Sequence, residues 1–355
     1  MTARVTERLS TSPADLGRAA ALLRAGGLVA IPTETVYGLA VRADDPDAVA
    51  RLFVAKGRPA DNPLIVHVAS VDDVVAVARE VTPLARELLA RFAPGPLTVV
   101  LTARDDLPRA VTGGLDTVAV RVPDHAVALE VLRRSGIALA APSANRSSRP
   151  SPTSAEHVLA DLDGLIDAVV DGGATRVGLE STVVDARGPS WRLLREGGVT
   201  REALTDAFGP EDAGEGPAGM GVDTEVRSPG SRHRHYAPGL PVHLAHPGSG
   251  AALAEALAES LAESLAGGAV GPTVGLVTVG AESPASPGVV VLAAVRDADG
   301  LATELFALLR RAEEARLAAV VIETVDEAGI GRAVMDRLRR AAEASGGTSG
   351  GDAAG

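Results

Sequence analysis

Over its first two hundred residues the chain alternates short apolar runs with amphipathic stretches, and turn chemistry marks most of the switches. Ser12-Pro13 reads as the N-cap and first-turn proline of a helix that ends near Gly26. Leu28 to Ile31 is a buried strand, and Asp45-Pro46 opens a second helix. Leu64 to Val68 is a strand, followed by helices near 72–80 and 82–92. Further strands are predicted near 97–102, 117–122, 137–141, 166–170, 181–185 and 191–195. A helix near 153–160 and a last one from Thr200 to Phe208 complete the series. Interleaved strands and helices predict an α/β fold.

The pattern stops at Gly209. Residues 209–241 are rich in Gly, Pro and charge without periodicity, and read as a linker that could serve as an active-site lid. Gly214 to Gly219 fits G-x-G-x-x-G but follows no strand and contains Pro217, which argues against a dinucleotide site. Residues 242–344 read β-α-β-β-α-β-α, a smaller Rossmann-like α/β domain. Residues 345–355 are a Gly/Ser/Ala tail whose composition predicts no packed structure. The domain scheme is therefore 1–208, the 209–241 linker, 242–344 and the tail.

Composition narrows the function. There is no Cys, so disulfides and thiolate metal sites are excluded. The net charge of −12 and 2% aromatic content argue against a broad nucleic-acid surface or a row of base-stacking platforms. No run approaches the roughly 18 apolar residues of a membrane span. The N-terminus lacks an apolar signal core, so a soluble cytoplasmic protein is expected. Lys56 is the single lysine among 34 basic residues, and a compact ammonium suits a phosphate site.

Six clusters carry candidate chemistry. Pro32 to Leu39 follows a strand directly, where α/β sheets gather ligands, and brings Thr33, Glu34, Thr35 and Tyr37 together. Lys56-Gly57-Arg58-Pro59, then Asn62 and His67, pairs an ammonium with a guanidinium; Gly57 and Pro59 suggest a shaped loop. Arg121 closes the apolar strand from Thr117, as a carboxylate fork or a solvated end. Ala141 to Ser148 follows a strand and holds Ser143 and Asn145 among small residues that allow backbone amides to approach an anion. Ser181 precedes a strand, and Arg195 follows the next. Ser228 to Pro238 concentrates two Arg, two His and Tyr236 in an otherwise acidic linker. There is no metal-ligand spacing, Walker loop or G-x-S-x-G.

Together these segments resemble the Sua5/YrdC family of threonylcarbamoyl-AMP synthases. The matching pieces are PTETVYGLA (32–40), KGRPADNPLIVHV (56–68), PGPLTVVL (94–101), VAVRVPDH (118–125), APSANRSSRPSPTS (141–154), GLESTVVD (178–185), LREGGVT (194–200) and SPGSRHRHYAP (228–238). The linker and second domain resemble the long, Sua5-type members. The linker carries Ser231 and His233 where relatives usually have Met and Tyr, and Asp336 stands where Asn is usual.

The resemblance implies a twisted mixed sheet with a concave ligand face. It implies that Thr35, His67, Arg121, Ser181 and the backbone of Ala141 bind threonine, with Arg121 on the carboxylate. Lys56, Arg58, Asn62, Thr117, Ser143, Asn145, Ser151 and Arg195 would hold ATP, with Tyr236 closing over the nucleotide and Lys56 and Arg58 acting on the phosphates. Mg²⁺ would accompany ATP, bicarbonate would be the third substrate, and a separate transferase would pass the product to tRNA. A weak direct contact with tRNA is also compatible. Two alternatives are a non-enzymatic RNA-binding module, disfavoured by charge, and a carbamoyl-phosphate-using transferase domain. Relatives of the second kind carry acylphosphatase and zinc-finger segments that this Cys-free chain lacks.

Overall fold

A computed structural model describes residues 5–212, 236–264, 273–284 and 286–348. The chain divides into two units. Among the described residues the first runs through Ser147 and resumes at Ser151; the second takes Ser148–Pro150 and the chain from Tyr236 onward.

The first unit is built on strands β1 (Glu7–Leu9), β2 (Val29–Ile31), β3 (Gly38–Arg42), β4 (Ile65–His67), β5 (Leu97–Thr102), β6 (Thr117–Arg121), β7 (Leu139–Ala140), β8 (Ala168–Val170), β9 (Thr182–Asp185) and β10 (Arg192–Arg195). They form one mixed sheet in the order β1-β8-β2-β3-β7-β4-β6-β5-β9-β10. Its helices are α1 (Pro13–Arg24), α2 (Pro46–Lys56), α3 (Pro83–Phe92), α4 (Arg109–Thr112), α5 (Ala126–Ser135), α6 (Ala155–Leu162) and α7 (Arg201–Phe208). Short polar residues start most of them. Ser12 accepts from Asp15 N at 3.2 Å, Asp45 from Asp47 N and Ala48 N at 3.0 Å, and Thr82 from Ala85 N at 3.1 Å.

The sheet's two faces are treated differently. Val66, Leu97, Val99, Leu101, Val118, Val120 and Val184 point to one face, where Leu52 of α2 and Leu88 and Leu89 of α3 cover them. On the other face, Leu16 and Leu23 of α1 and Val131 and Leu132 of α5 pack over β2, β8 and Leu139. Beyond β7 that face continues as Ile65, Val100, Ala119 and Val183, a small apolar floor with no helix residue in its cluster.

Several elements differ from the sequence reading. β3, which begins at Gly38 in the cluster Pro32 to Leu39 and runs to Arg42, is a strand the sequence does not predict, and so are α5 and β1. The helix expected near 72–80 is a short 3-10 helix, Asp72–Ala76, because Val71 at its start offers no side-chain cap. Lys56 is not on a loop: it is the last residue of α2, and Gly57 ends the helix at φ 61°.

The second unit has a fully parallel sheet in the order β11-β14-β12-β13, from β11 (Val242–Ala245), β12 (Val274–Val279), β13 (Val289–Val295) and β14 (Ala319–Glu323). Helices α8 (Gly250–Ser264), α9 (Ala298–Glu314) and α10 (Gly331–Ser345) complete the predicted order. Asp336 on α10 pairs with Arg337 at 2.9 Å and Arg340 at 3.0 Å. Ser148–Pro150 is held within this unit by Ala237 N on Ser148 O at 2.8 Å and by Arg149 on Glu313 at 2.6 Å. Among the described residues no helix is long and apolar enough to cross a membrane.

Glu323 closes β14 and is 3% exposed. Its Oε1 accepts from Gly248 N and Gly250 N at 3.0 Å each, and Oε2 from Val279 N at 2.9 Å. The carboxylate thereby fastens the start of α8 to two strands. Glu323→Ala leaves three amides without that acceptor. It is expected to cost the second unit about 2–3 kcal/mol, read as a lower urea midpoint for that unit's transition.

Candidate active site

This floor, whose cluster holds no helix residue among the described residues, is ringed with polar side chains, and strand periodicity puts them there. Thr117, Ala119 and Arg121 alternate on one side of β6, and Ile65 and His67 do the same on β4. The register pairs Ile65 with Ala119 and His67 with Arg121. Thr98 on β5 shares that face with Val100, and its hydroxyl lies 2.7 Å from that of Ser181, just before β9. Arg195, at the end of β10, fixes Ser181 by donating to its carbonyl at 3.1 and 2.9 Å and to its hydroxyl at 3.2 Å.

Arg121 is 4% exposed, and its guanidinium can only donate hydrogen bonds. One arm donates to Gly95 O at 3.3 Å, and another lies 2.7 Å from the carboxylate of Glu34. Glu34 comes from the β2–β3 connection, which Thr33 organises. The Thr33 hydroxyl donates to Val36 O at 2.7 Å, contacts the Thr35 hydroxyl at 2.8 Å and accepts from Thr35 N at 3.2 Å. Glu34 O accepts from Val177 N at 2.8 Å. Burial pushes the His67 imidazole down to about 3, and the Arg121 charge adds to the effect, so His67 is neutral at physiological pH. His125, before α5, is also lowered by burial, with the Glu34 charge opposing.

A second cluster gathers around Lys56, which is 2% exposed. Its ammonium donates to the carbonyls of Ser143 and Asn145, and its own carbonyl accepts from Ser147 N at 2.8 Å. The loop after β7 is therefore wrapped around this one side chain. Ala141 N donates to Ile65 O at 2.9 Å and Ala144 N to Tyr37 O at 2.8 Å, fastening the loop to the first cluster's strands. Arg146 N donates to Asp161 at 3.3 Å, and Ser151 to Glu180 at 2.6 Å. Burial, then the nearby Arg58, holds the Lys56 ammonium well below its usual pKa, with Asp161 opposing. Arg58 donates to Pro63 O at 3.0 Å and shapes the segment bearing Asn62, which is buried, as is Thr117.

The fold thus brings His67, Arg121, Ser181 and Arg195 to one face, holds Thr35 in the turn beside Glu34, and joins Lys56 at the end of α2 to Ser143 and Asn145 of the loop after β7. Tyr236 belongs to the second unit. Its ring stacks on Phe306 at 5.3 Å between centroids, with the Arg337 guanidinium 5.7 Å from its centre. Ser231, His233 and the Gly214–Gly219 segment lie outside the described residues. Glu34, Thr98 and Glu180 had no role in the sequence reading. Glu34 was visible there as a carboxylate among hydroxyls, and the alternation in Leu97-Thr98-Val99-Val100 puts Thr98 on the face of Val100. Among the described residues no three His, Asp or Glu cluster as a metal site.

An apolar floor ringed with polar side chains, beside a loop built around a buried cation, defines a small-molecule enzyme site rather than a macromolecular surface. Two family models match the chain: Sua5_yciO_yrdC, described as "Telomere recombination", over residues 21–197, and "Threonylcarbamoyl-AMP synthase, C-terminal domain" over 199–343. Threonylcarbamoyl-AMP synthase of Pyrococcus abyssi is 43% identical over 323 residues, covering 91% of this chain and 92% of its own. The Bacillus subtilis enzyme of the same name is 41% identical, covering 95% and 96%. The crystal structure of P. abyssi Sua5 complexed with L-threonine is 40% identical, with a TM-score of 0.85 over 97% of this chain and 99% of that one. The chain belongs to the Sua5/YrdC family. It is an enzyme that uses ATP to make an adenylate, and its activity is threonylcarbamoyl-AMP synthesis for the t6A modification of tRNA.

The His67 shift makes a stability prediction. Its folded value, about 3, lies below its unfolded value, 6.5, so between them the unfolded chain holds the extra proton. Stability is full above the unfolded value and falls as pH drops toward the folded one. His67→Gln should flatten the urea-stability profile across that window, measured against the parent.

Proposed function

We propose that the polar face seats L-threonine beside ATP and that the chain works by positioning the two. Arg121 forks the amino-acid carboxylate; Thr35, His67, Ser181 and the backbone of Ala141 shape the rest of the pocket. Lys56, Arg58, Asn62, Thr117, Ser143, Asn145, Ser151 and Arg195 hold the nucleotide. The observation that carries this reading is the bonding of Ala141 N to Ile65 O, which fastens the Lys56-centred loop to the strand of His67. The two clusters are thereby parts of one surface.

The chemistry then needs no protein nucleophile. Threonine's amine, having lost a proton, forms an N–C bond to CO₂ drawn from bicarbonate and becomes a carbamate. A carbamate oxygen attacks the α-phosphate of ATP; the bond to the bridging oxygen breaks and pyrophosphate leaves. Mg²⁺ enters with the triphosphate as part of the substrate. The buried Lys56 and the half-buried Arg58 face charge building on the phosphates. Holding the reactants in register supplies most of the acceleration. The product, a mixed anhydride, is made in the cytoplasm and passed to a separate transferase that modifies tRNA, with direct tRNA contact at most weak.

The test is formation of the AMP anhydride from labelled threonine, omitting bicarbonate and ATP in turn; product in either omission would sink the reading. A salt titration of RNA binding checks the binding-module alternative. Arg121→Ala should raise the threonine KM by about tenfold or more, the worth of a charged hydrogen bond, with the ATP KM nearly unchanged. Lys56→Met should cut threonine- and bicarbonate-dependent pyrophosphate release by about a hundredfold or more, with a far-UV spectrum like the parent's.

A further inference from the structure

One buried group in the pocket is left unused by these roles. Glu34 is 1% exposed, and neither of its carboxylate oxygens accepts an aligned hydrogen bond from a described group. Its Oε1 nevertheless lies 2.7 Å from Nη2 of Arg121, and that nitrogen also lacks an aligned acceptor. The two side chains therefore neutralise each other by proximity without filling each other's hydrogen-bonding capacity. Buried charges in this state are costly, and such a cost is removed when a ligand supplies what is missing. A carboxylate can only accept, so the ligand must donate to Glu34. A guanidinium can only donate, so the ligand must accept from Arg121. A molecule bearing an anion and a cation on one carbon framework meets both demands. An α-amino-acid zwitterion is that molecule.

We propose that Glu34 is the ammonium anchor of the amino-acid site. The α-carboxylate takes the Arg121 guanidinium, and the α-ammonium takes the Glu34 carboxylate. Binding exchanges one poorly aligned ion pair for two charge-assisted ones, and the local charge stays balanced throughout. The neutral imidazole of His67 adds no competing charge. Glu34 thus sets specificity for amino acids over simple hydroxy acids and other carboxylates. The inference rests on the reading of this face as the threonine site.

The test is titration calorimetry on the full chain without nucleotide, using L-threonine and 3-hydroxybutanoate, which keeps the carboxylate, hydroxyl and methyl but has no amine. The parent should bind threonine about tenfold or more tighter than 3-hydroxybutanoate. Glu34→Gln should weaken threonine by a similar factor and leave 3-hydroxybutanoate equal or tighter, because Arg121 loses its competing anion. Unchanged selectivity in the variant overturns the proposal. So does a parent that binds both compounds equally, a result that needs no variant to fold. If the parent binds no threonine at all, the reading of the pocket falls, and this inference with it.

Discussion

A guanidinium that is almost entirely out of water imposes conditions on everything near it. Arg121 ends β6 on the face of the first unit's sheet that carries the apolar floor, and it is 4% exposed. Glu34, the anion that balances it, is supplied by the β2–β3 turn, with β7 and β4 lying between β3 and β6 in the sheet. The pair therefore ties the turn to a strand three places away. Thr33 fixes the turn so that Glu34 arrives in place, and the same positive charge helps keep His67 neutral. Removing either charge would leave the other buried alone, the costly case for ion pairs.

The same logic recurs around Lys56 with different partners. Its ammonium is buried among backbone carbonyls instead of facing a carboxylate at ion-pair distance, and so it acts as the hub of the loop after β7. A loop that would otherwise be free to vary is fixed before any nucleotide arrives. That suits a reaction in which alignment of two substrates matters more than covalent help from the protein. Arg195 does comparable work at Ser181, holding it by backbone and side chain together.

Much of the fold was legible. Ser12, Asp45, Thr82 and Thr200 announce their helices because capping is local chemistry. The second unit's order was readable because its strands are apolar runs and its three helices are long. The losses were equally physical. Gly38–Arg42 lacks the alternation of a half-exposed strand, since Gly38 to Val41 are all buried. Helix α5 starts at His125, which makes no cap hydrogen bond, so no start signal was present. Gly57 and Pro59 suggest a loop at Lys56, whereas glycine in the left-handed region is what ends a helix.

What the sequence by itself determined are the properties that depend on near neighbours: the caps, the strand alternation, the clusters of polar residues at strand ends, and the segments matching the family. Tertiary structure alone decided how the clusters share charge. Glu34 and Arg121 are far apart along the chain, and nothing local to either says that they meet. The burial of Lys56 and its grip on Ser143 and Asn145 depend on α2 lying against the loop after β7, and the stacking of Tyr236 on Phe306 depends on α9. Charge and burial at a site are sums over all neighbours in space, and only the folded sheet brings those neighbours together.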